Sequence, residues 1–492
     1  MLDRRHFMQH SAAITAAMAA LRSMPVRAEE PAPATKKYGA NDKIRVAVVG
    51  VRGRGMSHVG GFNGVNGCEI VTVCDCDESV IGNAVTAITK KTGKPDYVKD
   101  IRKVLEDKSI DVVSFATPNH WHALGAIWAM QAGKQVYVEK PASHNVVEGR
   151  RMVQAARKHD AICQVGTQSR SNPGMRAAVA AIHAGKIGAV KTAYATCYKR
   201  RGSIGKVAEP TAVAKSVDYD LWSGPAPILP IQRKSMHYDW HWIWAYGNGD
   251  LGNQGVHEMD KARWGLQVKG MPKSVMSVGG RFGYVDDGET ANTQLCVFDY
   301  GDSEMVFEVR GLASESPYPA GVGGGAKGSN FVGNIWYGDK GTVVCPGYNN
   351  GVLLDPDNKV VEKFSGGSDA DHFANFVKAV RSHKKEELNC EIEEGHLSAA
   401  LCHLANVSYR LGEEKTLGEL KEIGSSKQAN AALTRMVAHL KDNNVDLMKT
   451  KCHYGPSLMM DNATERFSGN NPKANELLGR EYRKGFEITE KV

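Results

Sequence analysis

Ile44-Arg45-Val46-Ala47-Val48-Val49-Gly50-Val51-Arg52-Gly53-Arg54-Gly55, residues 44–55, runs a β-branched strand straight into a glycine-rich loop, and Met56 to Phe62 can then begin a helix. A helix that starts just past a buried strand presents unpaired N–H groups and the positive end of its dipole, which suits a pyrophosphate. Gly50 and Gly55 meet the usual G-x-G-x-x-G spacing, whereas its middle glycine falls on Arg52 and the loop's own middle glycine is Gly53. The candidate cradle is therefore Gly50, Val51, Arg52, Gly53, Arg54 and Gly55. Asp75 follows twenty residues past Gly55, at the end of the run Val71-Thr72-Val73-Cys74. A carboxylate there accepts the adenosine ribose hydroxyls and repels a 2′-phosphate, so NAD is favoured over NADP. Asp77 either shares that role or is a turn residue, and Arg52 and Arg54 leave room for NADP.

Working outward, the short apolar runs Ile44 to Val49, Glu69 to Val73, Val112 to Ala116, Gln135 to Val138 and Ile162 to Val165 are separated by helix-length segments. That alternation predicts a parallel sheet with right-handed crossovers, an α/β Rossmann domain over 43–165. Beyond Gly166 the runs Lys191 to Cys197, Ser274 to Val278, Ala291 to Val297 and Ser303 to Val309 are longer and alternate in polarity. They predict an α+β domain over 166–412 with a mostly antiparallel sheet covered on one face. Residues 29–42 read as a linker, and 413–492 as a polar C-terminal extension with scattered helix signals.

Two further motifs sit at predicted strand ends: Ala116-Thr117-Pro118-Asn119-His120-Trp121-His122 and Glu139-Lys140-Pro141. Removing hydride from a carbinol carbon requires the hydroxyl proton to leave in the same step. A partly buried lysine has a lowered pKa and can polarise that oxygen, which makes Lys140 the candidate. Together with the glycine loop, these motifs resemble the glucose-fructose oxidoreductase, inositol dehydrogenase and rhizopine-catabolism family, Gfo/Idh/MocA, over roughly residues 43 to 412. The resemblance implies NAD as cofactor, flanked by Thr117, Pro118, Asn119, His122, Glu139, Lys140 and Gln168. It also implies a second domain whose open sheet serves assembly into a homo-oligomer, a dimer or tetramer.

Gly249-Asp250-Leu251-Gly252-Asn253-Gln254-Gly255-Val256-His257-Glu258-Met259-Asp260 resembles the family's helix carrying Asp and His four residues apart, a spacing that shares one face. His257 takes the histidine position. Asn253 stands where relatives carry Asp, and since Asn cannot titrate, any base role moves to His257 or Lys140. The aromatic cluster Tyr238, Trp240, His241, Trp242, Trp244 and Tyr246, with Trp121 and Trp222, is either a sugar-stacking wall or a half-buried strand. Trp240, His241 and Arg170 are expected nearest the substrate, beside Lys140, Asn253 and His257.

The chain's formal charge of +8 over 492 residues includes a local excess of three positive charges in residues 1–28. No long basic run remains, so nucleic acid is not an expected partner. Asp3-Arg4-Arg5-His6-Phe7-Met8-Gln9, the apolar Ser11 to Leu21 and Val26-Arg27-Ala28 resemble a twin-arginine export signal, with an amphipathic N-terminal helix as the other reading. That apolar run is shorter than the ~20 residues needed to span a bilayer, so no stable membrane insertion is expected. The ten cysteines include no C-x-x-C pair and read as buried thiols, giving no support for a metal site. An enzyme exported folded to the periplasm meets no free NAD pool, so it is expected to retain its cofactor. The expected activity is oxidation of a secondary sugar hydroxyl. The alternatives are a redox-neutral, NAD-dependent glycosidase working through a keto-sugar and a non-catalytic sugar sensor.

Overall fold

A computed structural model describes residues 38–39, 41–469, 471–490 and 492. The expected signal over 1–28 and most of the linker over 29–42 lie outside the described residues. The first strand, β1 (Ile44–Val49), is buried at every position except Arg45, as a continuous β-branched run in a two-sided sheet must be. It is joined by β2 (Cys68–Cys74), β3 (Asp96–Val98), β4 (Val112–Phe115), β5 (Gln135–Val138) and β6 (Cys163–Val165). All six are parallel, in the order β3-β2-β1-β4-β5-β6. The helices α1 (Arg54–Gly64), α2 (Gly82–Thr89), α3 (Ile101–Glu106), α4 (Asn119–Gln131) and α5 (Val146–Lys158) make the crossovers. The strand order reverses between β1 and β4, and the crevice outside their carboxyl ends is where such sheets bind ligands.

The second sheet holds β7 (Val190–Tyr198), β8 (Ser274–Gly280), β9 (Thr293–Asp299), β10 (Glu304–Arg310), β11 (Phe331–Gly338), β12 (Thr342–Cys345), β13 (Asn350–Leu354) and β14 (Val360–Ser365). These pair antiparallel, except that β7 and β10 run parallel. Strand alternation sends Trp336, Phe307 and Phe298 to the inner face, against the helices that follow α6 (Pro173–His183) and α7 (Tyr219–Ser223): α8 (Val256–Leu266) and α10 (Ile392–Arg410). Between those two helices, α9 (Asp369–Ser382) returns to the first sheet. Its Phe373 stacks on Tyr137 at 4.8 Å and meets Phe62 edge-on at 5.1 Å. Helix α9, late in the chain, thus packs onto the first sheet.

Residues 413–492 are not an extension outside the fold. β15 (Glu413–Thr416), β16 (Lys451–Tyr454) and β17 (Leu458–Asp461) add to the second sheet beside β8. The helix α11 (Lys427–Asp442), capped by Ser426, lies on the outer face. It buries Ala429, Ala432, Leu433, Met436 and Leu440, a helical stripe, against Tyr194, Val306 and Ile335. The outer face expected to stand open is thus covered over β9 and β10. Phe486 and Val492 then finish the chain inside the core of the first domain. All ten cysteines are free and eight are buried. No helix among the described residues is long and apolar enough to cross a membrane.

Met436 is fully buried beneath the second sheet. Met436→Ala is expected to cost about 2–4 kcal/mol, read as a lower denaturation midpoint at unchanged m-value. A loss below about 0.5 kcal/mol, the range of ordinary surface substitutions, would mean that α11 is not part of the core.

Candidate active site

Gly50 sits at φ 79°, and a Cβ there would lie 2.9 Å from the Ala116 carbonyl oxygen. A Cβ on Gly55 would lie 1.9 Å from the Gly50 carbonyl oxygen, so these two glycines let the first turn of α1 press against the ends of β1 and β4. Gly53 caps α1, and no side chain caps that turn. Val51 points into the core, and its N–H donates to Asp75 Oδ2 at 2.9 Å. Asp75 Oδ1 accepts from the Asp77 N–H at 3.0 Å, so the carboxylate locks the loop to the end of β2 while still lining the cavity. Burial raises its pKa despite those two N–H donors. Asp77 is engaged elsewhere, accepting from Ser79 and facing His237 Nε2 at 2.8 Å.

The cavity above this loop measures about 590 Å³ and is lined by both domains. Among the lining residues is Glu139, 4% exposed. Its carboxylate accepts from Arg54 Nε at 2.7 Å, Gln168 Nε2 at 3.1 Å and the Lys140 N–H at 3.2 Å, and His58 Nε2 lies 3.2 Å away. Burial alone would raise this carboxyl, but the Arg54 guanidinium and the His58 bond hold it well below the ordinary glutamate range. Glu139 and Gln168 thus act through the frame of the site. Arg54 also bonds Asp369 on α9 at 2.7 Å, while its Nη2 is buried without a partner, as is Thr117 Oγ1 at the end of β4. His122 is fixed between the Pro141 and Thr117 carbonyls at 2.6 and 2.9 Å, and Asn119 Nδ2 donates to Asn248 at 3.0 Å.

Lys140 is brought against the second domain. Its Nζ donates to the backbone carbonyl of Asn253, which lies in a π-helical turn, Leu251–Gly255, immediately before α8. Burial is the main cause of the lowered Lys140 pKa, opposed by Glu139. His257, on α8, is held well below its ordinary pKa by burial and then by the Lys140 charge, and its Nδ1 has no hydrogen-bond partner. The Trp240 and His241 rings stack at 3.7 Å on the same cavity. Burial pushes His241 down to about 3.

Other expected residues are placed apart. Arg170 does not line the cavity: its guanidinium bonds both Asp260 oxygens at 2.9 Å and reaches Glu394 at 3.1 Å, a buried structural cluster. The aromatic cluster divides, with Trp121, Trp222, Tyr238 and Trp240 on the cavity. Tyr246 is buried against Trp222, and Trp244 lies under Arg410. Lys199, Gln254 and Tyr348 line the cavity and were not singled out from sequence. The only signal was Lys199's place at the end of an alternating strand.

Glu139→Gln removes the charge that Arg54 and His58 surround, and is expected to cost about 3–5 kcal/mol, as for other broken buried pairs. Because the folded pKa is depressed, the stabilisation is complete above the unfolded glutamate value and disappears as pH falls through the folded one. Acid unfolding of the wild type should therefore be steeper below about pH 4.5, the ordinary glutamate value, than in the variant. Parallel pH profiles would contradict this assignment.

The glycine cradle, the orphaned Arg54 nitrogen and Thr117 hydroxyl, and Asp75 at the end of β2 fit a bound dinucleotide: phosphates on the α1 turn and ribose on Asp75. Residues 44–167 match the model described as the oxidoreductase family's NAD-binding Rossmann fold, and residues 189–303 that family's C-terminal alpha/beta domain. A glycosyl hydrolase family 109 protein of Shewanella sp. (strain W3-18-1) is 33% identical over 179 residues, 33% of this chain and 39% of that protein. An alpha-N-acetylgalactosaminidase of Shewanella oneidensis is 30% identical over 178 residues, again 39% of its length. Matches to both curated relatives thus span well under half of either protein. Among solved structures, a levoglucosan dehydrogenase in complex with NADH and levoglucosan superposes with TM-score 0.55 at 17% identity, covering 74% of this chain and 97% of that one. Residues 44–167 and 189–303 thus carry, in order and on this two-sheet fold, the two domains of the Gfo/Idh/MocA oxidoreductase family.

Proposed function

We propose that the protein is an NAD-dependent oxidoreductase acting on a secondary hydroxyl, C3 being a candidate, of a sugar or glycoside, with its cofactor retained between turnovers. The observation that carries this is the convergence of Lys140, His257 and the stacked Trp240–His241 pair on the cavity that also contains the glycine loop. NAD, when bound, supplies the hydride acceptor. Burial makes the neutral amine of Lys140 more accessible than that of a surface lysine, so its lone pair can take the hydroxyl proton as the carbonyl develops. The unpartnered Nδ1 of His257 and the Asn253 amide orient that hydroxyl. The paired rings of Trp240 and His241 offer a flat face for the apolar side of a sugar ring.

Similarity to family 109 glycosyl hydrolases favours one second reading, a redox-neutral glycosidase. Transient oxidation of the hydroxyl to a ketone acidifies the neighbouring ring C–H; loss of that proton expels the leaving group, water adds across the resulting double bond, and return of the hydride to the ketone restores the cofactor, so both readings share the first step. Export of the folded protein through a twin-arginine signal, with NAD loaded in the cytoplasm, is part of the proposal, supported by Arg4-Arg5 and Phe7. A dimer or tetramer is as well, with exposed Tyr337, Val360 and Val361 on the second sheet as the surface.

Purified protein should carry a near-ultraviolet NADH absorbance band after incubation with substrate sugar and no added cofactor. Keto-sugar accumulation with an electron acceptor supports the oxidoreductase, and nitrophenol release from para-nitrophenyl glycosides supports the glycosidase. Lys140→Met should lower kcat by about 10²–10⁴-fold, the usual weight of a general base, with the cofactor still bound. Full activity in that variant would sink the mechanism.

A further inference from the structure

The cations around the cavity are not equally neutralised. Arg54 is bonded by Glu139 and Asp369, and Lys99 faces Glu78 at 2.9 Å. Arg201, which leaves the end of β7 two residues after Lys199, is paired with Asp250 at 2.7 Å. Lys199 also lines the cavity, on the substrate side with Lys140, His241 and Gln254, but among the described residues it pairs with no carboxylate. Its Nζ donates to Gln254 Oε1 at 3.4 Å. Gln254 is held in that orientation from behind, because its Nε2 donates to both Glu258 oxygens at 3.3 Å and to the Tyr348 hydroxyl. Glu258 in turn has its own cation, Lys261 at 3.7 Å. The amide therefore stands between Lys199 and Glu258, and Lys199 remains on the cavity wall.

We infer that the substrate is an acidic sugar, a uronic acid or its glycoside, whose carboxylate is received by Lys199. The inference rests on the proposed sugar chemistry of the same cavity. A ligand that fills this space strips water from the Lys199 ammonium, and a neutral hydroxyl only partly replaces that hydration, whereas a carboxylate forms a charge-assisted bond. Lys199 is then a specificity-determining residue, separate from the proton transfer at Lys140.

The test is calorimetric titration of the NADH-loaded full chain with D-glucuronate and D-galacturonate against D-glucose and D-galactose, so that binding is read without hydride transfer from the sugar. At least one uronate is expected to bind about ten-fold more tightly than its neutral counterpart, the usual weight of one charge-assisted hydrogen bond. Lys199→Gln should bring that ratio close to one, and Lys199→Arg should preserve it. No measurable uronate binding, equal affinities in the wild type, or a ratio unchanged in Lys199→Gln would overturn the inference. A preference for glucose 6-phosphate over glucuronate would overturn the carboxylate assignment. Product analysis judges the underlying reading separately. Lys199-dependent uronate binding without any keto-sugar removes the oxidoreductase and leaves the binding site, and keto-sugar from neutral substrates without uronate preference does the reverse.

Discussion

A carboxylate that is 4% exposed must find its hydrogen bonds inside the protein, and Glu139 finds four partners on three different parts of the chain. Arg54 belongs to the first turn of α1, His58 to the next turn, Gln168 to the segment after β6, and the Lys140 N–H to the chain leaving β5. Through Arg54 the same cluster reaches Asp369 on α9. The position of the glycine loop, the departure angle of Lys140 and the return of the chain from the second domain are thus coupled at one charge. A buried ion cluster of this kind gives little net stability relative to apolar packing, but it penalises every arrangement that leaves one member unpaired. That penalty is what sets α1, β5 and α9 in one geometry around the cavity.

The C-terminal residues act on the opposite wall in a similar way. Arg480 donates to the His120 carbonyl in the first turn of α4 at 3.1 Å and to the Ala245 carbonyl at 3.3 Å, and its Nε lies 3.0 Å from buried Glu148 on α5. Phe486 packs edge-on to Trp121, which lines the cavity, at 5.7 Å. One tail therefore joins a Rossmann helix to the aromatic loop of the second domain. With α11 covering the outer sheet face, the last eighty residues contribute to three hydrophobic cores instead of hanging from one.

What was legible in the sequence follows the range of the interactions. The strands of the first sheet and the long strands of the second are written in local periodicity, and the loop, Asp75, Lys140 and His257 lie at strand or helix ends that periodicity locates. A buried arginine looks the same in sequence whether its partner is a substrate or, as for Arg170, Asp260 ninety positions away. Asp77 is ambiguous in sequence for the same reason, since His237 is far along the chain. The stripe Ala429, Ala432, Leu433, Met436 and Leu440 was present as a local signal in the tail, yet only the alternating outer face of the sheet gives it a partner. Lys199 and Gln254 carry no local signal of their pairing, since their bond across fifty-five positions and their place on the cavity wall exist only in three dimensions.

The substitution of Asn253 for the acid carried by relatives looks, from sequence, like the loss of a proton acceptor. The geometry assigns it a different consequence. Lys140 is met by the backbone carbonyl of Asn253, presented by the π-helical turn, and the side-chain amide makes only a long contact of 3.5 Å to Asp250. A backbone carbonyl accepts a hydrogen bond whatever side chain the position carries, so the contact that aims the Lys140 amine survives the exchange. Turns of this width recur at functional sites because they redirect a carbonyl out of the regular helical ladder. The titrating groups near the substrate are then Lys140 and His257, and burial keeps both biased toward their neutral forms. Whichever of these groups is neutral carries a proton-accepting lone pair, so the proposed proton transfer needs no acid at position 253.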